Sequence, residues 1–194
     1  MKSMTSNDAL KLLEMAKDTT TQKGWIKHSI CVGDAAEKIA EALNLDTEKA
    51  KALGYIHDIG KKDGNFKYHE ISGYEYIKSL GYKREYYNIC LIHSFLNNDY
   101  LCTAAGIPKD IPFRTKFIKK HKYTIYEKII NLCDLMCTKK ITTMEKRLID
   151  IMIRRGVHSN TEYHLKEAFK LKEYFDELLG YDLYDLFPEI KENL

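Results

Sequence analysis

The chain has 194 residues, 44% of them hydrophobic and 30% charged, and a formal net charge of +3. Its length, its three prolines and ten glycines, and the lack of a Ser-rich or Pro-rich tract predict a single domain over residues 1–194. The small net charge does not favour nucleic-acid binding, which usually requires a strongly basic domain. The N-terminal segment is too short and too polar for a signal peptide or a membrane span, so we expect no membrane partner.

The five cysteines indicate a reducing compartment. They are odd in number, form no CxxC pair and lie mostly within apolar helical stretches. A disulfide framework would show paired cysteines in a small, loop-rich chain. We therefore expect a cytoplasmic protein with reduced thiols.

Hydrophobic periodicity predicts a chain that is almost entirely helical. Apolar residues recur three and four positions apart nearly throughout, and the alternation typical of strands is almost absent. The predicted helices cover, in chain order, 6–18, 25–43, 47–59, 69–80, 84–97, 123–139, 143–155 and 160–178. We expect N-caps at Ser6 and at Asp46 or Thr47, and left-handed helix ends at Gly60 and Gly81.

Residues 98–122 break the helical pattern and are predicted to form a long loop or lid. The segment contains two of the three prolines and a cluster of five basic side chains: Arg114, Lys116, Lys119, Lys120 and Lys122. Two interpretations stay open with equal weight. The segment is either a solvated basic loop or a surface that gathers an anionic substrate.

Five predicted helices each place histidine or aspartate in a partly apolar setting. These residues are His28, His57 with Asp58, His69, His93 and Asp134. Taken singly, each is better explained as a hydrogen-bonded core residue or as a paired acid. Burying all of them without a common partner would cost on the order of several kcal/mol, so together they indicate a shared metal centre. Imidazole and carboxylate ligands favour a divalent metal, Fe, Mn, Co, Ni, Zn or Mg, in a site that retains water for hydrolysis.

The order His28, then His57-Asp58, then Asp134 resembles the H…HD…D pattern of the HD-domain metal-dependent phosphohydrolases. The stretch HDIGK at 57–61 is similar to the form that many members of the HDIG type carry. The resemblance covers about residues 25–138. It implies an all-α, compact HD-domain bundle of about seven to nine helices, with this core extended by C-terminal helices over 143–178.

The resemblance also implies a ligand set. In members that hold one metal, the ligands match His28, His57, Asp58 and Asp134. Members with two metals add two histidines, and His69 and His93 stand in the corresponding interval. This pattern is most similar to the HD-type hydrolases that split diadenosine tetraphosphate symmetrically, in which the counterpart of Asp58 bridges the ions. A second interpretation leaves His69 as a substrate contact.

The implied activity is hydrolysis of a phosphate ester or phosphoanhydride in a small-molecule nucleotide, with a dinucleoside polyphosphate as one candidate. Asp58 and Lys61 are the catalytic candidates. Lys61 lies three residues after Asp58 and four after His57, so it can reach the same site and offer its charge to phosphate oxygens. Arg114 and Lys116 are weaker candidates for phosphate contacts.

Three alternatives stay open. One is a mononuclear 5′-nucleotidase-like enzyme, and another is a nucleotide-sensing HD module that turns its ligand over slowly. The third is a structural helical protein whose histidines are incidental. The oligomeric state is also open, and we retain a homodimer as one state.

Overall fold

The computed structural model describes residues 1–64, 66–104 and 106–193, and within these ranges it contains α-helices, short 3₁₀ segments and no β-strand. The α-helices are α1 Ser6–Thr19, α2 Gly24–Ala42, α3 Thr47–Ile56, α4 His69–Ser79, α5 Arg84–Ile92, α6 Pro112–Lys120, α7 Ile125–Asp134, α8 Met144–Arg155 and α9 Thr161–Leu179. The 3₁₀ segments are Ile59–Asp63, Phe66–Tyr68, Leu183–Leu186 and Pro188–Glu192. The all-α prediction is confirmed.

The core of the fold is the packing of α2 along α3, with α1, α5 and α7 also in contact with α3. The two helices approach most closely at Gly33 and Gly54, where a Cβ on Gly54 would lie 2.5 Å from Gly33 Cα. Glycine is required at this crossing because any side chain would push the backbones apart. Ile39 on α2 and Leu53 and Ile56 on α3 are fully buried in the core.

Local capping agrees with the sequence at one predicted helix start and differs at the other. The Asp46 side chain accepts a hydrogen bond from the Lys49 amide and caps α3, as predicted. Helix α1 is capped by Thr5 rather than by Ser6, because Thr5 and Asp8 form a reciprocal capping box. Such a box satisfies two helix-end amides at once.

The prediction that Gly60 ends the third helix in a left-handed conformation is wrong. Helix α3 ends at Ile56, and the left-handed residue is Gly64, with φ of 76°. Gly60 serves a different purpose, because a Cβ there would overlap the carbonyl oxygen of His69 and lie 2.5 Å from the Gly73 amide nitrogen. Gly60 therefore lets the segment after α3 pack directly against the backbone of α4.

The C-terminal end of α4 follows the prediction, whereas two other helices are shorter than expected. Gly81 has φ of 77° and follows α4 in the left-handed region. Helix α5 stops at Ile92 instead of 97, and α7 stops at Asp134 instead of 139. In both cases the apolar periodicity continues into non-helical residues that are buried against the core.

The long loop or lid predicted over 98–122 is wrong in part, because residues Pro112–Lys120 form helix α6. Pro112 occupies the first turn of α6, where proline loses no helical hydrogen bond and its φ suits the helix. The sequence interpretation treated this proline only as a helix breaker. Among the helices that the structure describes, none is both long and apolar enough to cross a lipid bilayer.

Candidate metal centre

Four helix ends and one helical turn bring the six predicted ligand residues together. His57 caps the C-terminus of α3, His93 caps that of α5, and Asp134 is the last residue of α7. His69 is the first residue of α4, Asp58 follows α3 directly, and His28 projects from the second turn of α2. Residues at helix ends can aim neighbouring side chains at one point, which explains how His57 and Asp58 both face the same centre.

Asp58 lies at the middle of this cluster, and its two carboxylate oxygens face different histidines. Asp58 Oδ1 is 3.2 Å from His69 Nε2 and 3.3 Å from His93 Nε2. Asp58 Oδ2 is 3.6 Å from His57 Nε2 and 3.9 Å from His28 Nε2. One carboxylate thus separates two pairs of imidazole nitrogens.

The ligand atoms form three groups in which all members lie within 4.8 Å of one another. Two of the groups share Asp58. The third group combines one histidine from each of them with Asp134. The groups are His28 with His57 and Asp58, Asp58 with His69 and His93, and His57 with His93 and Asp134. Asp134 also approaches the first group directly, because its Oδ1 is 2.9 Å from His28 Nε2.

Backbone carbonyls set the tautomer of all four histidines. In each ring Nδ1 faces a carbonyl oxygen, at 3.3 Å for His28 and Thr138, 2.6 Å for His57 and Gly54, 2.8 Å for His69 and Phe66, and 3.0 Å for His93 and Cys90. A carbonyl only accepts, so Nδ1 carries the proton and donates. In the neutral ring Nε2 then keeps its lone pair, which is the arrangement that protein metal sites use to orient histidine ligands.

The atoms left without partners test whether a cation fits here. Among the described residues, His57 Nε2 and Asp58 Oδ1 are buried and have no hydrogen-bond partner. The Nε2 atoms of His69 and His93 are 3.3 Å apart, although both face inward as acceptors when the rings are neutral. Converging acceptors repel one another and cost free energy in a buried site, whereas a divalent cation between them makes them favourable. The donor set therefore fits divalent metal ions.

His57 and His93, the two buried histidines of the cluster, differ in their affinity for protons. Burial lowers the pKa of His57 to about 3, so its ring is neutral and ready to ligate at physiological pH. For His93, burial also lowers the pKa, but the adjacent Asp58 carboxylate outweighs this effect and raises the pKa above its usual value. A proton and a metal ion therefore compete for the His93 ring.

Both aspartates are anionic. Burial alone would raise the pKa of the Asp58 carboxyl, but Lys61 and the adjacent imidazoles outweigh it and hold the pKa well below its usual range. For Asp134, His28 likewise overcomes the effect of burial and holds the pKa far below its usual value. Two carboxylates that stay ionised at neutral pH give the centre the negative charge that a divalent cation requires.

The cluster lies in the wall of a cavity of about 1000 Å³, which we call the metal cavity. Another part of the wall, from α8 and the turn before it, contributes six basic side chains: Lys139, Lys140, Lys146, Arg147, Arg154 and Arg155. Asp150 lines the cavity beside them and pairs with Arg147 and Arg154. The sequence interpretation missed this wall. The spacing of Arg147 and Arg154, seven positions apart, places them on the same face of a helix but does not show what that face meets.

His164 on α9 is a further residue that the sequence interpretation missed. It lines the metal cavity and is 3% exposed. Burial lowers its pKa to about 4, an effect that Asp134 opposes only in part. Its position in a helix with other apolar residues gave no signal that distinguished it from an ordinary core histidine.

Of the three predicted phosphate contacts, the structure brings only Lys61 to the metal cavity. Lys61 lines that cavity and forms an ion pair with Asp58 Oδ2. Arg114 is 3% exposed, lies 3.5 Å from Glu70 Oε2, and donates to the Lys109 carbonyl at 2.8 Å. Lys116 is exposed on α6 and lines a different pocket.

Comparison with known proteins supports the sequence pattern. The family model described as "HD domain" matches residues 25–138 of this chain. Ribonuclease Y of Thermosipho melanesiensis is 35% identical over a 92-residue alignment, which covers 44% of this chain and 18% of that protein. The chain thus spans less than a fifth of that relative's length. No solved structure matches this chain.

Proposed function

This chain belongs to the HD domain family, and from that premise we propose that it is a metal-dependent phosphohydrolase acting on a nucleotide phosphate ester or phosphoanhydride. One observation carries the proposal: each carboxylate oxygen of Asp58 faces its own pair of histidine Nε2 atoms. A carboxylate with this arrangement suits a bridge between two ions.

We assign two overlapping ligand sets. His28, His57 and Asp58 form the first, which Asp134 extends, and Asp58, His69 and His93 form the second. Divalent cations bound there would supply Lewis-acid activation of a water molecule and of a phosphoryl oxygen. The backbone carbonyls that fix the tautomers of the four histidines orient their lone pairs in advance.

Lys61 is the residue that we assign to the reacting phosphate. Its ammonium group pairs with Asp58 Oδ2 and also borders the metal cavity, so it can offer charge-assisted hydrogen bonds to phosphate oxygens. The pairing with Asp58 holds the flexible lysine side chain near the centre. Asp58 and Lys61 are thus the catalytic residues of the proposal.

The size and charge of the metal cavity favour a substrate with several phosphates. A volume of about 1000 Å³ is at the upper end of small-molecule sites. The basic wall of α8 can bind anionic groups that lie away from the metal ligands, while Trp25 and Phe66 offer aromatic lining. These features support a dinucleoside polyphosphate, such as diadenosine tetraphosphate, as the substrate.

We further propose that residues 1–194 form one HD domain. The family segment ends at residue 138, yet α8 and α9 contribute Arg147 and His164 to the same cavity. A site whose wall comes from beyond the family segment requires those C-terminal helices for its shape.

Two measurements test the proposed function. The first is metal content per chain, by elemental mass spectrometry on protein purified without chelator. The second is turnover of a panel that contains nucleoside monophosphates, nucleoside triphosphates and diadenosine tetraphosphate. We expect about two transition ions per chain and symmetrical cleavage of diadenosine tetraphosphate to two molecules of adenosine diphosphate.

Other outcomes point elsewhere. One ion per chain with release of phosphate from monophosphates would replace the dinuclear assignment with a 5′-nucleotidase-like enzyme. Tight nucleotide binding with little turnover by metal-loaded protein would favour a sensing module. Protein that binds no metal and hydrolyses nothing in the panel would overturn the proposal.

A further inference from the structure

A second pocket lies outside the metal cavity, between α5 and α6. It has a volume of about 660 Å³, and we call it the α6 pocket. Its lining residues are Arg84, Asn88, Phe113, Lys116, Phe117, Lys120, His121 and Lys122. None of them lines the metal cavity, so the two pockets can be tested separately.

The α6 pocket is strongly cationic. Four of its lining side chains are basic, Arg84, Lys116, Lys120 and Lys122, and no acidic residue lines it. In the part of the chain that the structure describes, none of these four forms an ion pair. Uncompensated cations around one concavity raise the local concentration of anions and favour a ligand with several negative charges.

One wall of the α6 pocket is aromatic. Phe113 is 51% exposed and is held from behind by Tyr74, with ring centroids 5.6 Å apart. His121 stacks on Phe117 at a centroid distance of 5.1 Å and an interplanar angle of 19°. The His121 ring is fixed in turn by Glu127, whose Oε2 lies 2.9 Å from His121 Nε2. A fixed and half-exposed aromatic surface is suited to stack on a nucleobase.

Asn88 offers a buried hydrogen-bond acceptor at the α6 pocket. This residue is 5% exposed and lies at the wall of the α6 pocket. Its Oδ1 is buried and has no hydrogen-bond partner among the described residues. Buried amide oxygens are nearly always paired, and an N–H or hydroxyl donor on a ligand would satisfy this one.

We propose that the α6 pocket is a second, separate binding site for a nucleoside polyphosphate. The base stacks on Phe113 and donates toward Asn88, and the phosphates lie among Lys116, Lys120 and Arg84. The proposal does not depend on the chemistry of the metal centre. It also assigns a role to the cluster of basic side chains that the sequence analysis found within residues 98–122.

A single nucleotide explains the α6 pocket better than a nucleic-acid strand. A volume of about 660 Å³ is within the range of small-molecule sites. Proteins that bind single strands instead present a charged groove with stacking platforms for successive bases. Here one exposed ring, Phe113, lines the pocket together with four cations, which matches one base with a chain of phosphates.

Isothermal titration calorimetry of the full chain with a non-hydrolysable analogue of adenosine triphosphate tests the proposal. The double variant Lys116→Ala/Lys120→Ala is compared with Lys109→Ala/Lys119→Ala, which loses the same charge from exposed positions that do not line the pocket. We expect the first variant to weaken binding at least about tenfold and the second to change it less than about twofold. Equal affinities for the two variants would overturn the proposal.

Phe113→Ala separates recognition of the base from recognition of phosphate. Because Phe113 is half exposed, this variant folds like the wild type, which circular dichroism can verify. We expect this variant to bind the nucleotide analogue several-fold more weakly than the wild type and to bind inorganic triphosphate with unchanged affinity. If Phe113→Ala binds the nucleotide analogue as tightly as the wild type does, the nucleoside assignment is overturned. Single-stranded RNA that binds here in place of the nucleotide analogue would also overturn it.

Discussion

His69 Nε2 lies 3.2 Å from Asp58 Oδ1, and His93 Nε2 lies 3.3 Å from the same oxygen. Little chain separates Asp58 from His69, and that chain includes the 3₁₀ segments Ile59–Asp63 and Phe66–Tyr68. Gly60 packs the first of these segments directly against the start of α4. This contact is what brings His69 back to the carboxylate.

Gly60→Ala should therefore disrupt both the fold and the site. Its Cβ would overlap the His69 carbonyl oxygen, and backbone cannot move as a flexible side chain does. We expect a loss of about 3 kcal/mol in the free energy of unfolding, together with a loss of bound metal. Urea denaturation checks the first effect. Gly24→Ala, whose nearest new contact is 3.9 Å away, should be neutral or slightly stabilising. Equal effects of both substitutions would contradict this role of Gly60.

His93→Ala should reduce the metal content from about two ions per chain to about one. It removes one nitrogen from the second ligand set and leaves His28, His57 and Asp134 in place. Elemental mass spectrometry on protein purified without chelator measures the change. His158→Ala is the matched control, because that histidine is exposed and belongs to none of the ligand groups. A His93→Ala protein with an unchanged metal content would show that His93 does not hold an ion.

Lys61→Ala should raise KM for the phosphorylated substrate by about tenfold or more, because it removes a charge beside the reacting phosphate. Lys62→Ala, which removes a neighbouring lysine paired with Asp63, should change KM less than about twofold. Steady-state kinetics at fixed metal concentration measures both. Lys61→Arg, which keeps the charge, should recover part of the loss. If the two alanine variants give the same KM, Lys61 makes no phosphate contact.

Acid should destabilise the protein through His164. Its pKa is lowered to about 4 in the folded state, against an ordinary value of about 6.5, so the unfolded chain takes up the proton first. The stabilisation by neutral His164 is complete above pH 6.5 and is lost as the pH falls toward 4, by about 2 to 3 kcal/mol.

The measurement is the free energy of unfolding from pH 7 to pH 4 with chelator present, so that metal binding does not contribute. His164→Gln should flatten the decline. His158→Gln, at an exposed position before α9, should follow the wild type. A His164→Gln curve parallel to the wild type would show that another group causes the acid sensitivity.

Arg114 should matter for stability. Arg114→Ala leaves Glu70 buried without its ion-pair partner, and we expect a cost of about 3 kcal/mol in the free energy of unfolding. The double variant Arg114→Met/Glu70→Gln should recover most of that loss, because it removes both charges. Denaturant unfolding of Arg114→Met, Glu70→Gln and the double variant gives the coupling energy. A coupling energy near zero would mean that the pair does not stabilise the fold.

The amino-acid sequence by itself determined the helical class and the identity of the candidate ligands. Apolar spacing marked eight of the helices, because burial of one helical face imposes that period. The ligands were visible because His57, Asp58 and Asp134 are polar residues in apolar surroundings. The absence of cysteine from the ligand set indicated which metal ions would bind there.

Only the tertiary structure decided where the helices end and what lines the metal cavity. Helices α5 and α7 stop near residues 92 and 134, where core packing continues without helical hydrogen bonds. Arg114 and Lys116 are close in sequence, yet one pairs with buried Glu70 and the other lines the α6 pocket. Arg147 and His164 reach the metal cavity from distant positions in the chain. Such placements depend on long-range contacts between helices, and local spacing of residues carries no record of them.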